Sequence, residues 1–176
     1  MKKYTINILL LLFITSIAYS QTRDFKSFDR NSDKSIDQTE FNEGYSNTYN
    51  TYDTDRDGKI SDREFYDASF NRMDRDQDGN LNEDEWEKGF DKQQRDYLPS
   101  NPYSKFDQNK DQQISQQEYR DSFTNSDYYD SYDTNKDGAI DRDELNKRTL
   151  SAWDKNRDGT LDENEFNEYH PYYIDN

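Results

Sequence analysis

Residues 53–64 read DTDRDGKISDRE. Oxygen-bearing side chains stand at the first, third, fifth and ninth positions. A glycine takes the sixth, an isoleucine the eighth and a glutamate the twelfth. Such a stretch is either a solvated polar turn, the ordinary fate of an Asp/Gly cluster, or a loop that turns alternate side chains inward around a cation. For an isolated run the turn is the better reading. Two things outside the stretch decide the matter: whether it recurs, and whether its flanks are built for burial.

The rhythm returns in register at DRNSDKSIDQTE (29–40), DRDQDGNLNEDE (74–85), DQNKDQQISQQE (107–118), DTNKDGAIDRDE (133–144) and DKNRDGTLDENE (154–165). Internal repetition of this kind marks a chain assembled from one supersecondary unit. Apolar residues stand four and one positions before each loop: Phe25/Phe28, Tyr49/Tyr52, Phe70/Met73, Tyr103/Phe106, Tyr129/Tyr132 and Leu150/Trp153. Another follows each closing Glu: Phe41, Phe65, Trp86, Tyr119, Leu145 or Phe166. An i, i+3 pair entering and an apolar residue leaving describe a helix, a loop and a helix with one buried face. The eighth position is also apolar throughout: Ile36, Ile60, Leu81, Ile114, Ile140 and Leu161.

With these features the loops resemble the EF-hand calcium loops of the calmodulin superfamily. Four of the six copies match D-x-[DN]-x-[DN]-G-x5-E in full. Loops 29–40 and 107–118 depart from it, with Lys34 and Gln112 in place of the glycine. The resemblance implies an all-α fold of tandem helix–loop–helix units, with short β-bridges between paired loops and Ca2+ as the cofactor. Calcium takes about six to eight oxygens, and a twelve-residue loop can deliver them. The implied ligands are Asp53, Asp55, Asp57, the Lys59 carbonyl, Ser61 and Glu64 in one loop, and Asp74, Asp76, Asp78, Asn80, Asn82 and Glu85 in the next. In the second half they are Asp133, Asn135, Asp137, Ala139, Asp141 and Glu144, then Asp154, Asn156, Asp158, Thr160, Asp162 and Glu165. The loops without glycine offer Asp29, Asn31, Asp33, Ser35, Asp37 and Glu40, and Asp107, Asn109, Asp111, Gln113, Ser115 and Glu118. A non-glycine side chain held left-handed at the sixth position costs on the order of 1–2 kcal/mol, so these two sites are expected to be weaker.

Matching loops lie 78, 80 and 80 residues apart, so the chain is a duplicated three-loop unit. The expected domains are 21–98 and 99–176, joined near Leu98-Pro99-Ser100-Asn101-Pro102. Only nine residues separate Glu64 from Asp74, and Glu144 from Asp154. That length admits one shared helix, and consecutive loops are expected at its opposite ends. The first and third loops of a unit can then pair, Ile36 with Leu81 and Ile114 with Leu161. The second loops are expected to pair through Ile60 and Ile140. A competing arrangement joins loop 74–85 to loop 107–118.

The first twenty residues are read apart from the fold. Lys2 and Lys3, an apolar run and Ala18-Tyr19-Ser20 form a secretory signal with cleavage before Gln21. The run is too short for a membrane span, so a secreted or periplasmic chain without a membrane anchor is expected. Without Lys2 and Lys3 the chain keeps 21 of its 23 basic residues and all 39 acidic ones, a net charge of −18. That acidity opposes nucleic acid or an anionic membrane as partner. No cysteine, nucleophile motif or phosphate loop points to an enzyme. His170, the only histidine, lies beside Pro171 after the last helix and reads as a surface residue. The leading function is an exported calcium buffer or calcium-stabilised module. The alternatives are a calcium sensor, disfavoured by the single methionine, Met73, after the signal, and an adhesion protein. The latter would bind a protein or saccharide through tyrosines at Tyr128-Tyr129 and Tyr169 to Tyr173.

Overall fold

The computed structural model describes residues 24–93, 103–123 and 126–172. The expected signal segment, the joint between the two units and Tyr173 lie outside them. The described chain is all-α with minimal strand. Its helices are α1 (Phe25–Phe28), α2 (Gln38–Gly44), α3 (Ser46–Tyr52), α4 (Asp62–Met73), α5 (Glu83–Gln93), α6 (Tyr103–Phe106), α7 (Gln116–Phe123), α8 (Arg142–Trp153) and α9 (Glu163–Tyr169). A 3-10 turn (His170–Tyr172) follows α9. The strands are β1 (Asn80–Leu81) and β2 (Ile114–Ser115). No helix among these residues is long and apolar enough to cross a membrane.

The loops themselves start and stop the helices. Asp37, Ser61, Asp141 and Asp162, each the ninth residue of its loop, cap the helix that follows. The closing glutamate completes a capping box by accepting the cap residue's own N–H. At the far end the first Asp of the next loop donates its N–H to a carbonyl four residues back, as Asp74 does to Phe70 at 3.0 Å and Asp154 to Leu150 at 2.9 Å. Helices α4 and α8 are therefore shared by consecutive loops, as the nine-residue spacing requires. The other connections depart from that expectation. Between the first two loops α2 and α3 meet at Tyr45. A Cβ on Gly44 would lie 2.1 Å from the Phe28 ring, so glycine there lets α1 pack against the break. After the fourth loop α7 stops at Phe123, and residues 126–132 form bends and turns.

The loops pair between the units, not within them. Ile36 exchanges backbone hydrogen bonds with Leu161 (2.9 and 3.0 Å), and Ile60 with Ile140 (2.9 and 3.0 Å). Leu81 pairs antiparallel with Ile114. The Ile60–Ile140 contact and the 74–85 with 107–118 pairing are both present. The expected pairs Ile36–Leu81 and Ile114–Leu161 are replaced. Spacing determines which end of a unit a loop occupies, but aromatic packing chooses its partner. The shared helix of each unit packs on the helix that follows the other's first loop, α4 on α7 and α8 on α2. Phe70 meets Tyr119 at 5.6 Å, and Trp153 meets Phe41 at 5.5 Å. The result is a pseudo-twofold in which the first loop of each unit meets the third of the other, and the second loops meet on the axis.

The apolar flanks read from sequence form the core. All are buried except Tyr103, which is half-buried. One cluster surrounds the two pairs nearer the middle of the chain, and another surrounds the Ile36–Leu161 pair. His170 belongs to the second cluster, contrary to the surface reading. It is 5% exposed, stacks on Phe166 at 4.3 Å, and its Nδ1 lies 2.5 Å from the Tyr45 hydroxyl. Tyr128 and Tyr129 are buried too, and the Tyr129 hydroxyl donates to the Ile60 carbonyl at 2.8 Å. They are structural residues of the axis and not an exposed adhesive pair. Ile60 is fully buried. Replacing it by Ala is expected to lower the unfolding free energy of the calcium-loaded protein by about 2–4 kcal/mol in denaturant titration. A loss below about 1 kcal/mol would contradict the central role given to this contact.

Candidate metal centres

All six loops carry one hydrogen-bond network. The sixth residue's N–H donates to the first Asp at 2.8–3.1 Å. The fifth N–H reaches the third side chain at 2.7–3.2 Å, and the seventh N–H the fifth Asp at 2.8–3.0 Å. The closing Glu ties both ends: Oε1 accepts from the third N–H at 3.0–3.3 Å. Its Oε2 accepts from the ninth N–H at 2.9–3.2 Å. The carboxylates are thus aimed inward by backbone donors on their outer side.

The expected ligand positions fall into distinct roles. In two loops the first, third and fifth side chains converge. One oxygen each from Asp53, Asp55 and Asp57 lie within 4.8 Å of one another, and so do those of Asp74, Asp76 and Asp78. The ninth residue is already engaged as a helix cap. The seventh carries a variable side chain, and that of Lys59 leaves its own loop to reach Asp137 at 3.3 Å. The first aspartates are all buried, as are the closing glutamates except Glu64, which is half-buried. Asp53 Oδ1 is buried and accepts no hydrogen bond among the described residues. A buried carboxylate oxygen without a donor is costly, and an all-oxygen set around it suits a hard cation such as calcium.

Electrostatics agree with this arrangement. Burial pushes the Asp74 carboxyl upward; the Gly79 N–H opposes the rise, and the charge of Glu85 adds to it. Burial also acts to raise Glu64, but the N–H and hydroxyl of Ser61 and the hydroxyl of Thr54 outweigh it. They hold Glu64 at about 2 against an ordinary 4.5.

Backbone strain is spread over two positions per loop. The glycines at the sixth position have φ of 85–92°, and Lys34 and Gln112 adopt the same left-handed region at 71° and 68°. The fourth position is left-handed as well, although no glycine stands there: Ser32, Arg56, Gln77, Lys110, Lys136 and Arg157 lie at 58–64°. Sequence reading missed this second bend because its residue types carry no signal. It also missed the capping role of the ninth residue, which the S/D-x-x-E spacing does signal.

Lys34→Gly relieves the left-handed side chain and is expected to tighten calcium at loop 29–40 by up to about tenfold in competition with a chromophoric chelator. An unchanged affinity would show that the turn is unstrained. While loop 53–64 keeps this hydrogen-bonded geometry, the depressed Glu64 contributes stability that is full above pH 4.5 and is lost as pH falls toward 2. Carbon-detected NMR titration should place its midpoint near 2 while the Ser61 amide stays protected; a midpoint near 4.5 with that amide protected would refute the hydrogen-bond account.

A family model described as EF hand matches residues 50–67, 65–90, 130–151 and 147–168. These segments hold loops 53–64, 74–85, 133–144 and 154–165, while loops 29–40 and 107–118 lie outside them. No curated protein matches the chain. The acidic groups of loops 53–64 and 74–85 could hold a metal ion, and on the matched repeats the chain belongs to the EF-hand superfamily, a calcium-binding family.

Proposed function

We propose that the protein is an exported calcium-binding module whose fold is set by calcium, with six sites of unequal strength and no catalytic role. The observation that carries this reading is the ring of buried acids. Six first-position aspartates are buried in a chain whose acidic residues outnumber its basic ones by 16. In the absence of metal these groups repel one another, so binding free energy becomes folding free energy.

The loops with glycine, 53–64, 74–85, 133–144 and 154–165, are the stronger sites. Loops 29–40 and 107–118 are the weaker ones. Each weak loop is bridged to a strong one, 29–40 to 154–165 and 107–118 to 74–85, so occupancy of the strong partner orders the weak one. Outside the cytoplasm, where calcium is abundant, weak sites can be permanently filled. A sensor reading has less support, because Met73 is buried in the core and sensor grooves rely on exposed methionine.

Calorimetric titration of residues 21–176 with calcium should return six equivalents in two affinity classes. Circular dichroism at low salt should show helix gained on calcium addition. Two or fewer equivalents, or equal helicity in chelator and in calcium, would overturn the proposal.

A further inference from the structure

We propose that a groove between α4 and α7 is a binding site for a neutral saccharide of one or two sugar units. The groove encloses about 500 Å³, a volume in the range of small-ligand sites. It is formed by residues that calcium binding does not use. Asp62 and Arg63 come from α4, Gln117, Arg120 and Asp121 from α7, and Asp130 from the turns that follow. None of them stands at a ligand position of its loop. Tyr66, Phe123 and Tyr129 form the less polar wall.

The pseudo-twofold shows what is particular about this place. Its counterpart lies between α8 and α2. There α3 follows Tyr45 directly, and Arg142 lies over the ring of Tyr49 at 4.9 Å. Residues 142 and 49 correspond to Asp62 and Tyr129. In the second unit two extra residues lie between the fourth and fifth loops, turns at 126–132 stand where the first unit has a helix, and an aspartate replaces the arginine. Among the described residues the place beside Tyr45 and Asn146 holds a cavity of only about 10 Å³, against about 500 Å³ here. Closing the groove in the same way would change no calcium ligand, since Asp62 stands at the tenth position of its loop, so its opening is a separate feature of the chain.

The chemistry of the rim selects the ligand. Arg120 pairs with Asp67 and donates to Gln117 Oε1 at 3.0 Å, and Arg63 lies 3.7 Å from Asp67. Gln117 Nε2 donates to Asp121 Oδ1 at 2.8 Å. An anion entering the groove meets three carboxylates, and a cation meets two guanidinium groups. A neutral polyol suits both kinds of group. Its hydroxyls donate to Asp62, Asp121 and Asp130 and accept from the guanidinium and amide hydrogens. Its C–H edges meet the narrow exposed margins of Tyr66 and Tyr129.

The test uses the calcium-loaded full chain with maltose, cellobiose, lactose and N,N′-diacetylchitobiose as probes. Saturation-transfer NMR should detect at least one of them. The double substitution Asp121→Ala/Asp130→Ala, at exposed positions, should weaken that binding about tenfold or more with the number of bound calcium ions unchanged. No saturation transfer from any of the four sugars overturns the proposal. Undiminished binding by the double variant overturns the site. An oligolysine probe that binds where the sugars do not, and is lost in the same variant, overturns the ligand class.

Discussion

Each loop leaves one extended residue, its eighth, whose N–H and C=O find no partner within the loop. A buried backbone group without a partner is costly, and an antiparallel exchange with another eighth residue settles both groups at once. A unit of three loops cannot meet this demand alone, because one loop is always left over. Two units can, and the twofold arrangement uses every loop once. The fully buried Ile36, Ile60, Leu81, Ile114, Ile140 and Leu161 are therefore the points on which the halves join. Shared helices α4 and α8 extend the same constraint along the chain, since moving one loop moves the start or end of the next.

The acids act against this scaffold until a cation joins them. Backbone N–H groups around each loop hold the carboxylates in place, at distances near 3 Å. They do not remove the repulsion among them. Two left-handed residues per loop add conformational cost, of which glycine relieves only the sixth position and only in four loops. The bridges couple each loop that lacks the glycine to one that has it, so the strong sites stabilise the weak ones through a single pair of backbone hydrogen bonds. The central pair joins two complete loops, and Lys59 crosses it to Asp137 with no reciprocal partner, because Ala139 stands at the matching position.

Much of this was legible in the sequence. The register of the six loops, their apolar flanks and the helices shared across nine-residue gaps could be read directly, because loop chemistry and helical spacing are local. Pairing was not local. The flanks said that Phe41, Phe70, Tyr119 and Trp153 are core, but not that the rings of each unit's shared helix pack against the helix after the other's first loop. His170 was misjudged because a proline follows it, although it lies four residues after Phe166 on the buried face of α9 and stacks on that ring. Tyr129 was legible both as a core flank and as a candidate adhesive tyrosine, and the hydrogen bond from its hydroxyl to the Ile60 carbonyl fits the core reading. The left-handed fourth position was invisible, since serine, arginine, glutamine and lysine do not announce it.

The central claim is that calcium organises six loops paired across the halves, 29–40 with 154–165, 53–64 with 133–144 and 74–85 with 107–118. The amides of Lys34, Gly58, Gly79, Gln112, Gly138 and Gly159 report on it directly, because each donates to the first aspartate of its own loop. Following these six signals by NMR through a calcium titration gives one curve per loop. The account predicts that all six shift and that Lys34 moves with Gly159, Gly58 with Gly138 and Gly79 with Gln112. If Lys34 moves with Gly79 and Gln112 with Gly159, the loops pair within their own units and the account fails.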